Sequence, residues 1–439
     1  MDTARGDPAR ERVSGSAPVN SDAPAVHDAP QDHDTPAPGG APPPRMRPWA
    51  FTILLGGVFC MGLGQTVVFA VLPAVGRTLG FADFQVASIF MLSAVFWITM
   101  GPRWGRLSDA YGRRLFIILG IAGFVASMLL FTGAIQLGLS GVLNGVALYL
   151  IVLAMRCLYG FLGSAQPPAA QAYIADRTRA EERAKGLAAF AAAFGAGSTL
   201  GPAFAGLLSP YGLLAPLFGV AALGAFAGLL VFFLLPENTA PKERRASPRL
   251  SLTDGRFKTF LAIGLCGGAI GAIPIQMMAF FLIDVLALET TAALPKVSVA
   301  LTAAAGAGLF AQLVLVGALS MTPRQLIRAA PIALALGHAG FVFFSSFPML
   351  VVAAGVAGLG WGMLGPGYTA AVSLSVTPSE QGAASGLSNA AGASGFILAP
   401  PIGFFLYAFD PRAPFVMTSI CAALLALFVW RSRRVAMVR

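Results

Sequence analysis

The chain has 439 residues, of which 56% are hydrophobic and 11% charged, with a formal charge of +10. Soluble domains average about 25% charged residues, so composition excludes a water-soluble enzyme or nucleic-acid-binding module as the class of this protein. The basic excess instead fits a membrane protein whose loops on one side carry Lys and Arg, and no nucleic-acid partner is expected.

Residues 1–47 differ from everything that follows. The stretch "SAPVNSDAPAVHDAPQDHDTPAPGGAPPPR" is built from Pro, Ala, Asp and Ser with almost no large apolar side chains. It cannot bury enough surface to offset its ordering entropy and is expected to be a disordered tail. It lacks the short apolar core of a signal peptide. His27 and His33 lie among Asp32 and Asp34 in "HDAPQDHD", but a solvated tail accounts for them and no metal is expected.

Twelve apolar helices are predicted next, over roughly 48–76, 84–104, 115–136, 145–175, 183–208, 212–235, 258–283, 297–320, 329–346, 348–375, 381–408 and 413–431. About 20 apolar residues span a bilayer as a helix, so the fold class is an all-α polytopic membrane protein. A basic linker at 236–257 separates an N-terminal six-helix bundle (48–235) from a C-terminal six-helix bundle (258–431), with a basic tail at 432–439. The 51 glycines suit close helix packing in lipid. Cys60, Cys157, Cys266 and Cys421 fall inside apolar runs with no Cys-x-x-Cys pair, so neither zinc nor a disulfide framework is expected.

The halves repeat each other. "LGPAFAGLLSPYGLLAPL" (200–217) and "LAPPIGFFLYAFDPRAPF" (398–415) share Pro202/Pro400 and Ala215-Pro216/Ala413-Pro414 at an offset of 198, as do Pro168 and Pro366. A tandem six-helix duplication is the pattern of transporters that move two halves about a midplane site. Of the 29 basic residues, Arg77, Lys296 and Arg412 fall in loops on one side and Arg156 falls inside a helix; the other 25 lie in the tails and the opposite loops. The positive-inside rule then assigns both termini and the linker to the cytoplasm, with the chain crossing the cytoplasmic (inner) membrane.

Between the second and third predicted helices, "GRLSDAYGRR" (105–114) concentrates charge in a nearly uncharged chain. Arg113 and Arg114 would serve as membrane anchors, but Asp109, with Gly105 and Gly112 at two bends, needs a further reason. An aspartate here caps a helix or meets an arginine across the loop. In the fourth helix, "RCLYGFLGS" carries Arg156 about ten residues deep, where a charge is costly and faces a cavity or a partner; a snorkelling or ion-paired arginine reads the same way. In the fifth, "GAGSTLGPAFAG" gives Gly197, Gly201 and Gly206 on a smooth face with Pro202 as a kink, which ordinary packing also explains. No carboxylate falls at mid-depth of any helix. Asp284, near the outer end of the seventh helix, is the candidate proton carrier and reads equally as an interfacial aspartate. Gln65, Arg156, Gln276, Gln312, His338 and Asn389 are the polar groups available to line a central cavity, with inter-helix hydrogen bonds as the alternative.

These stretches resemble the signatures of the major facilitator superfamily. "GRLSDAYGRR" is similar to the family's loop pattern through Gly105, Leu107, Asp109, Gly112, Arg113 and Arg114. The resemblance implies two pseudo-symmetric six-helix bundles and a conformational latch, in which Asp109 faces the start of the eleventh helix and Arg113 pairs with Asp109 or Asp176. It implies a proton-coupling role for Arg156, through its spacing to Gly160. The fifth-helix Gly201-Pro202 pair and "GLGQTVVFAVLP" (62–73) resemble twelve-helix proton antiporters that export drugs and metabolites, siderophores among them, although Met61 stands where several carry an acid. The function so implied is proton-coupled efflux of a small amphiphilic molecule by alternating access, by a monomer in the lipid bilayer that is not an enzyme and needs no cofactor. An importer or facilitator on the same fold, or a non-transporting membrane sensor, is the alternative.

Overall fold

The computed structural model describes residues 46–178, 180–236, 250–251, 253–377 and 380–438, with the backbone alone at 180–184, 290–292, 382, 389 and 396. The expected disordered tail up to residue 45 and most of the linker lie outside the described residues, as does the side chain of Asn389. Twelve helical spans are found among the described residues. The first half contains α1 (Pro48–Thr78), α2 (Asp83–Tyr111), α3 (Arg113–Leu139), α4 (Gly145–Leu162) continued by α5 (Gln166–Arg177), α6 (Ala180–Leu208) and α7 (Ala215–Leu234). The second contains α8 (Lys258–Val285), α9 (Thr290–Phe310) continued by a π-helical segment (Ala311–Ala318), α10 (Pro323–Phe343), α11 (Phe347–Ser373), α12 (Gln381–Tyr407), α13 (Ala413–Arg431) and the short α14 (Arg433–Met437).

Several boundaries correct the expectation. The stretch 105–111 is not a loop with two bends: α2 continues through it to Tyr111, and Gly105 sits inside the helix. The chain turns at Gly112 alone, whose φ of +100° is open to glycine and strained for other residues. The fourth span is interrupted, because Pro167 and Pro168 supply no N–H to the preceding turn, and the backbone tightens into a 3₁₀ turn at Gly163–Ala165. The tail is held at its end, where the Met46 N–H donates to the Arg177 carbonyl at 3.4 Å. At the other terminus, α14 is capped by Ser432 and buries Val435 completely.

The repeat seen in the sequence recurs in the packing. In the first half α1 packs on α6 and α3 on α7; in the second α8 packs on α12 and α10 on α13. Both central pairs depend on backbone contact through glycine. A Cβ on Gly197 would lie 2.0 Å from the Phe59 carbonyl oxygen, and one on Gly395 would lie 2.1 Å from the Gly268 carbonyl carbon. Small residues thus let paired helices approach where lipid gives no hydrophobic drive for association.

Three large apolar cores and one small cluster, Ala74 with Ile283 and Ala293, result among the described residues. One, built on Phe257, Ile327 and Tyr368, belongs to the second half alone. Another, built on Leu54, Phe116 and Tyr173, belongs to the first half alone. Both lie toward the end of the bundle that carries the described termini, Met46 packing on the second of them and Val438 on the first. The largest core joins the halves toward the opposite end, where Val67–Val75 of α1 meet Ala272–Leu282 of α8, Leu294 of α9 and Phe404 of α12. Contacts between halves follow the same pattern: Gly206 of α6 would bring a Cβ within 3.0 Å of Ser298 on α9. The innermost helices record it residue by residue. Thr52, Leu55, Gly56, Phe59, Gln65 and Thr66 of α1 keep exposure, whereas Val67 through Gly76 are all buried. On α8, Ala262, Leu265, Cys266, Ala269 and Ile275 keep exposure and Gln276 through Ile283 are buried. The halves are therefore packed together at one end and carry separate cores at the other.

Candidate functional site

Arg156 lies on α4, 11 residues from its first residue Gly145, or about 16 Å along the axis at 1.5 Å per residue. That is near the middle of a roughly 30 Å hydrocarbon layer. Its position is set by the Arg156-x-x-x-Gly160 spacing. A Cβ on Gly160 would sit 2.2 Å from the Ser93 carbonyl oxygen, so only glycine lets α4 lie this close to α2. One turn away the Ser93 hydroxyl donates to the Arg156 carbonyl at 3.1 Å. The Arg156 side chain is 2% exposed. Its Nη2 donates to Gln65 Oε1 at 2.7 Å, and its Cζ lies 4.3 Å from the Tyr159 ring centroid. Tyr159 in turn packs against Trp97 and Phe124, with ring centroids 5.1 and 5.8 Å away. Arg156 Nε is buried without a partner among the described residues. No described carboxylate hydrogen-bonds or ion-pairs with it.

The second cluster closes the end opposite the termini, and of it the sequence marks only Asp284 as a candidate site residue, with Arg77 as one of the few basic residues on that side. Arg77, in the last turn of α1, reaches Asp83 at the start of α2 through Nε at 3.0 Å and Nη2 at 2.7 Å. The same guanidinium ion-pairs across the two halves with Asp284 at the end of α8, through Nη1 and, at 2.9 Å, Nη2. The Tyr407 hydroxyl at the end of α12 donates to Asp284 Oδ2 at 2.5 Å, and Arg77 Cζ stands 5.1 Å from the Phe280 ring. Four helix ends are tied together. The partners stand 207 residues apart, so only Arg77 and Asp83, six apart, had a local signal.

At the terminal end Arg113 opens α3 directly after Gly112. It ion-pairs with Asp109 one turn earlier, with Asp176 at 3.3 Å, and donates to Ser108 Oγ at 2.8 Å. Asp109 thus meets Arg113 within its own half, and no described contact joins it to the start of α12. Arg114 donates to the Phe232 carbonyl at 2.5 Å, supporting the last turn of α7. Farther along this end, in the second half, Arg256 forms a bidentate pair with Glu380, both distances 2.9 Å, and is itself held by Asp254. Arg256 holds the Glu380 carboxyl down at about 2 and Asp254 below its usual range. The sequence reading treated this stretch as a basic linker and missed the pair, whose members are 124 residues apart.

The other predicted cavity residues scatter. Gln276 is 3% exposed, with Oε1 unpartnered among the described residues. Gln312 is exposed in the π-helical segment. His338 is buried beside Thr418 of α13, toward the rim of the second half rather than near Arg156. Gly197 and Gly201 line the α1 contact, and α6 runs as one helix through Pro202. Gln166, which the sequence reading passed over, is completely buried at the break between α4 and α5, with neither amide atom partnered among the described residues.

Two repeated bundles of membrane-spanning helices, joined at one end, with a buried cation at mid-depth of the first, define a repeat-built membrane transporter. The sequence model of the Major Facilitator Superfamily matches residues 54–320 and 265–437, and the chain belongs to that family. Multidrug resistance protein 2 of Bacillus subtilis (strain 168) is 24% identical over 403 residues, covering 88% of this chain and 96% of that protein. The class C tetracycline resistance protein of Escherichia coli is 31% identical over 203 residues, covering 45% of this chain and 48% of that one. Among solved structures, the nucleoside transporter NupG superimposes with a TM-score of 0.66 at 13% identity, over 87% of this chain and 99% of that one. That likeness concerns the fold alone. The protein is a multi-pass membrane transporter and not an enzyme.

Proposed function

We propose that the protein exports a small amphiphilic molecule, drug-like or a siderophore, by alternating access coupled to inward proton flow. The observation that carries this reading is the arrangement of cores: one shared core at the Arg77–Asp284 end, two separate cores at the other, and Arg156 at the depth of Gln65, where α1 gives way to the fully buried run Val67–Gly76. A protein of this shape admits a molecule from one side at a time. The positive-inside pattern makes the open end cytoplasmic, in the inner membrane. The outward direction is supported by relatives named for multidrug and tetracycline resistance.

In this reading the Arg77–Asp284 pair is the outer gate and Asp284 the carboxylate that an incoming proton meets first. Arg77 and Asp284 keep 24% and 32% of their side-chain surface, and exposed pairs of this kind contribute about 1 kcal/mol or less, weak enough to break in each cycle. Asp109, Arg113 and Asp176 form the inner latch, brace α2, α3 and α5 against one another, and move as a unit. The test is mass spectrometry of small molecules in cells and medium, comparing the wild-type chain with Asp109→Asn at matched membrane levels. Export predicts a compound that shifts from medium to cell interior in the variant. A compound that shifts the other way sinks the direction assigned.

A further inference from the structure

We propose that the transported molecule is an anion whose negative group is bound by Arg156; the inference rests on the export reading above and names its substrate class. The first ground is the disposition of charge. Among the described residues, the carboxylates of the spans lie at the two ends and are already engaged: Asp83 and Asp284 by Arg77, Asp109 and Asp176 by Arg113. Asp254 and Glu380 hold Arg256 at the terminal end, and Glu289 and Asp410 sit in or beside loops at the opposite end. The cation at mid-depth has no acid from this set.

The second ground is the state of the guanidinium itself. An arginine offers five N–H donors and is always charged. Arg156 spends one on a neutral amide oxygen and rests its face on a ring. Neither neutralises a buried charge, which is costly unless paired. Its Nε is orphaned. A carboxylate, sulfonate or phosphate entering the site supplies the missing charge and accepts from the planar fork in bidentate geometry.

The third ground is access. Gln65, the residue that Arg156 grips, is half-buried, and only the buried turn Cys60–Gly64 separates it from Thr52, Leu55, Gly56 and Phe59, which keep exposure toward the open end of α1. A molecule that enters from the open end and passes that turn meets Gln65 and then the guanidinium. Beside it, Trp97, packed on Tyr159, keeps part of its surface exposed, which suits an apolar body attached to the acid. A lipophilic cation would meet the same ring and be repelled by the charge.

The test uses two fluorescent probes on one naphthalene body, one ending in a carboxylate and the other in a trimethylammonium, with the full chain in proteoliposomes under an imposed proton gradient. We expect concentrative movement of the carboxylate probe alone, a fall of about tenfold or more in Arg156→Gln, the scale of a lost charge-assisted bond, and partial retention in Arg156→Lys, which keeps the charge but not the fork. Preferential movement of the ammonium probe, or carboxylate transport unchanged in Arg156→Gln, overturns the anion assignment and leaves the transport reading standing. Failure of both probes to move with the gradient intact counts against both readings. If Arg156→Gln does not assemble, melting of the wild-type protein decides: stabilisation by the carboxylate probe alone supports the assignment, and stabilisation by the ammonium probe alone overturns it.

Discussion

Gly197 and Gly201 hold α6 against α1 at a separation that no side chain fits. A Cβ on Gly201 would lie 2.0 Å from Thr66 Oγ1 and 2.7 Å from the Leu63 carbonyl oxygen. Overpacking of this kind costs about 1–3 kcal/mol, so Gly201→Ala is expected to lower the melting midpoint and the transport rate together. Gly195, two residues before Gly197, has nothing within 4 Å of its would-be Cβ, and Gly195→Ala is expected to melt and transport like the wild type. Equal losses in the two variants would show that helix packing is not what Gly201 serves. The glycine pattern in the sequence pointed to a smooth face; which glycines are indispensable depends on what lies opposite.

At the scale of elements, the two clusters at the helix ends make separate predictions. Thr78→Cys with Val285→Cys, each one residue beyond the gate pair, in a chain freed of Cys60, Cys157, Cys266 and Cys421, joins α1 to α8 when bridged by a short bis-maleimide. Transport is expected to stop on bridging, while either single variant remains unaffected by the reagent. Continued transport in the bridged protein would remove the gate role. The Arg256–Glu380 pair ties the segment before α8 to the start of α12. Because the Glu380 pKa is held below its ordinary 4.5, the stabilisation is complete above that value and is lost as pH falls from it through about 2. Glu380→Gln is therefore expected to melt below the wild type at pH 7, with the gap closing toward pH 3. A gap as wide at pH 3 as at pH 7 would assign the effect to packing rather than charge.

At the scale of the whole molecule, the open end should close when the shared core is loosened. Tyr111 at the end of α2 and Leu374 after α11 are 70% and 67% exposed and accept spin labels without disturbing a core. Pulsed electron resonance between them is expected to give one long distance in the wild type. Asp284→Ala removes the anchor between halves and is expected to add a shorter population, because a gate of weak pairs biases the balance of two states by a small free energy. An unchanged distribution would place the control of opening elsewhere.

Twelve spans, a six-plus-six repeat and a charged stretch where the second helix gives way to the third were legible in the sequence, because each is a local property: apolar length, short motifs at fixed offsets, and ions crowded into ten residues. Met61 was seen to stand where an acid does in similar antiporters, and Arg156 was seen as a lone charge in an apolar run. The end of α2 was misjudged, since Gly105 is tolerated inside a packed helix and Gly112 alone needs the left-handed backbone. Only the tertiary structure decided that Arg77 meets Asp284 and Arg256 meets Glu380, pairs that are 207 and 124 residues apart. It alone showed Tyr159 beneath Arg156, Asp109 turned toward its own half, and His338 buried against α13. Hydropathy sets which segments cross the membrane, but which helix faces meet is decided by packing between residues far apart in the chain, and that packing determines which charges find partners.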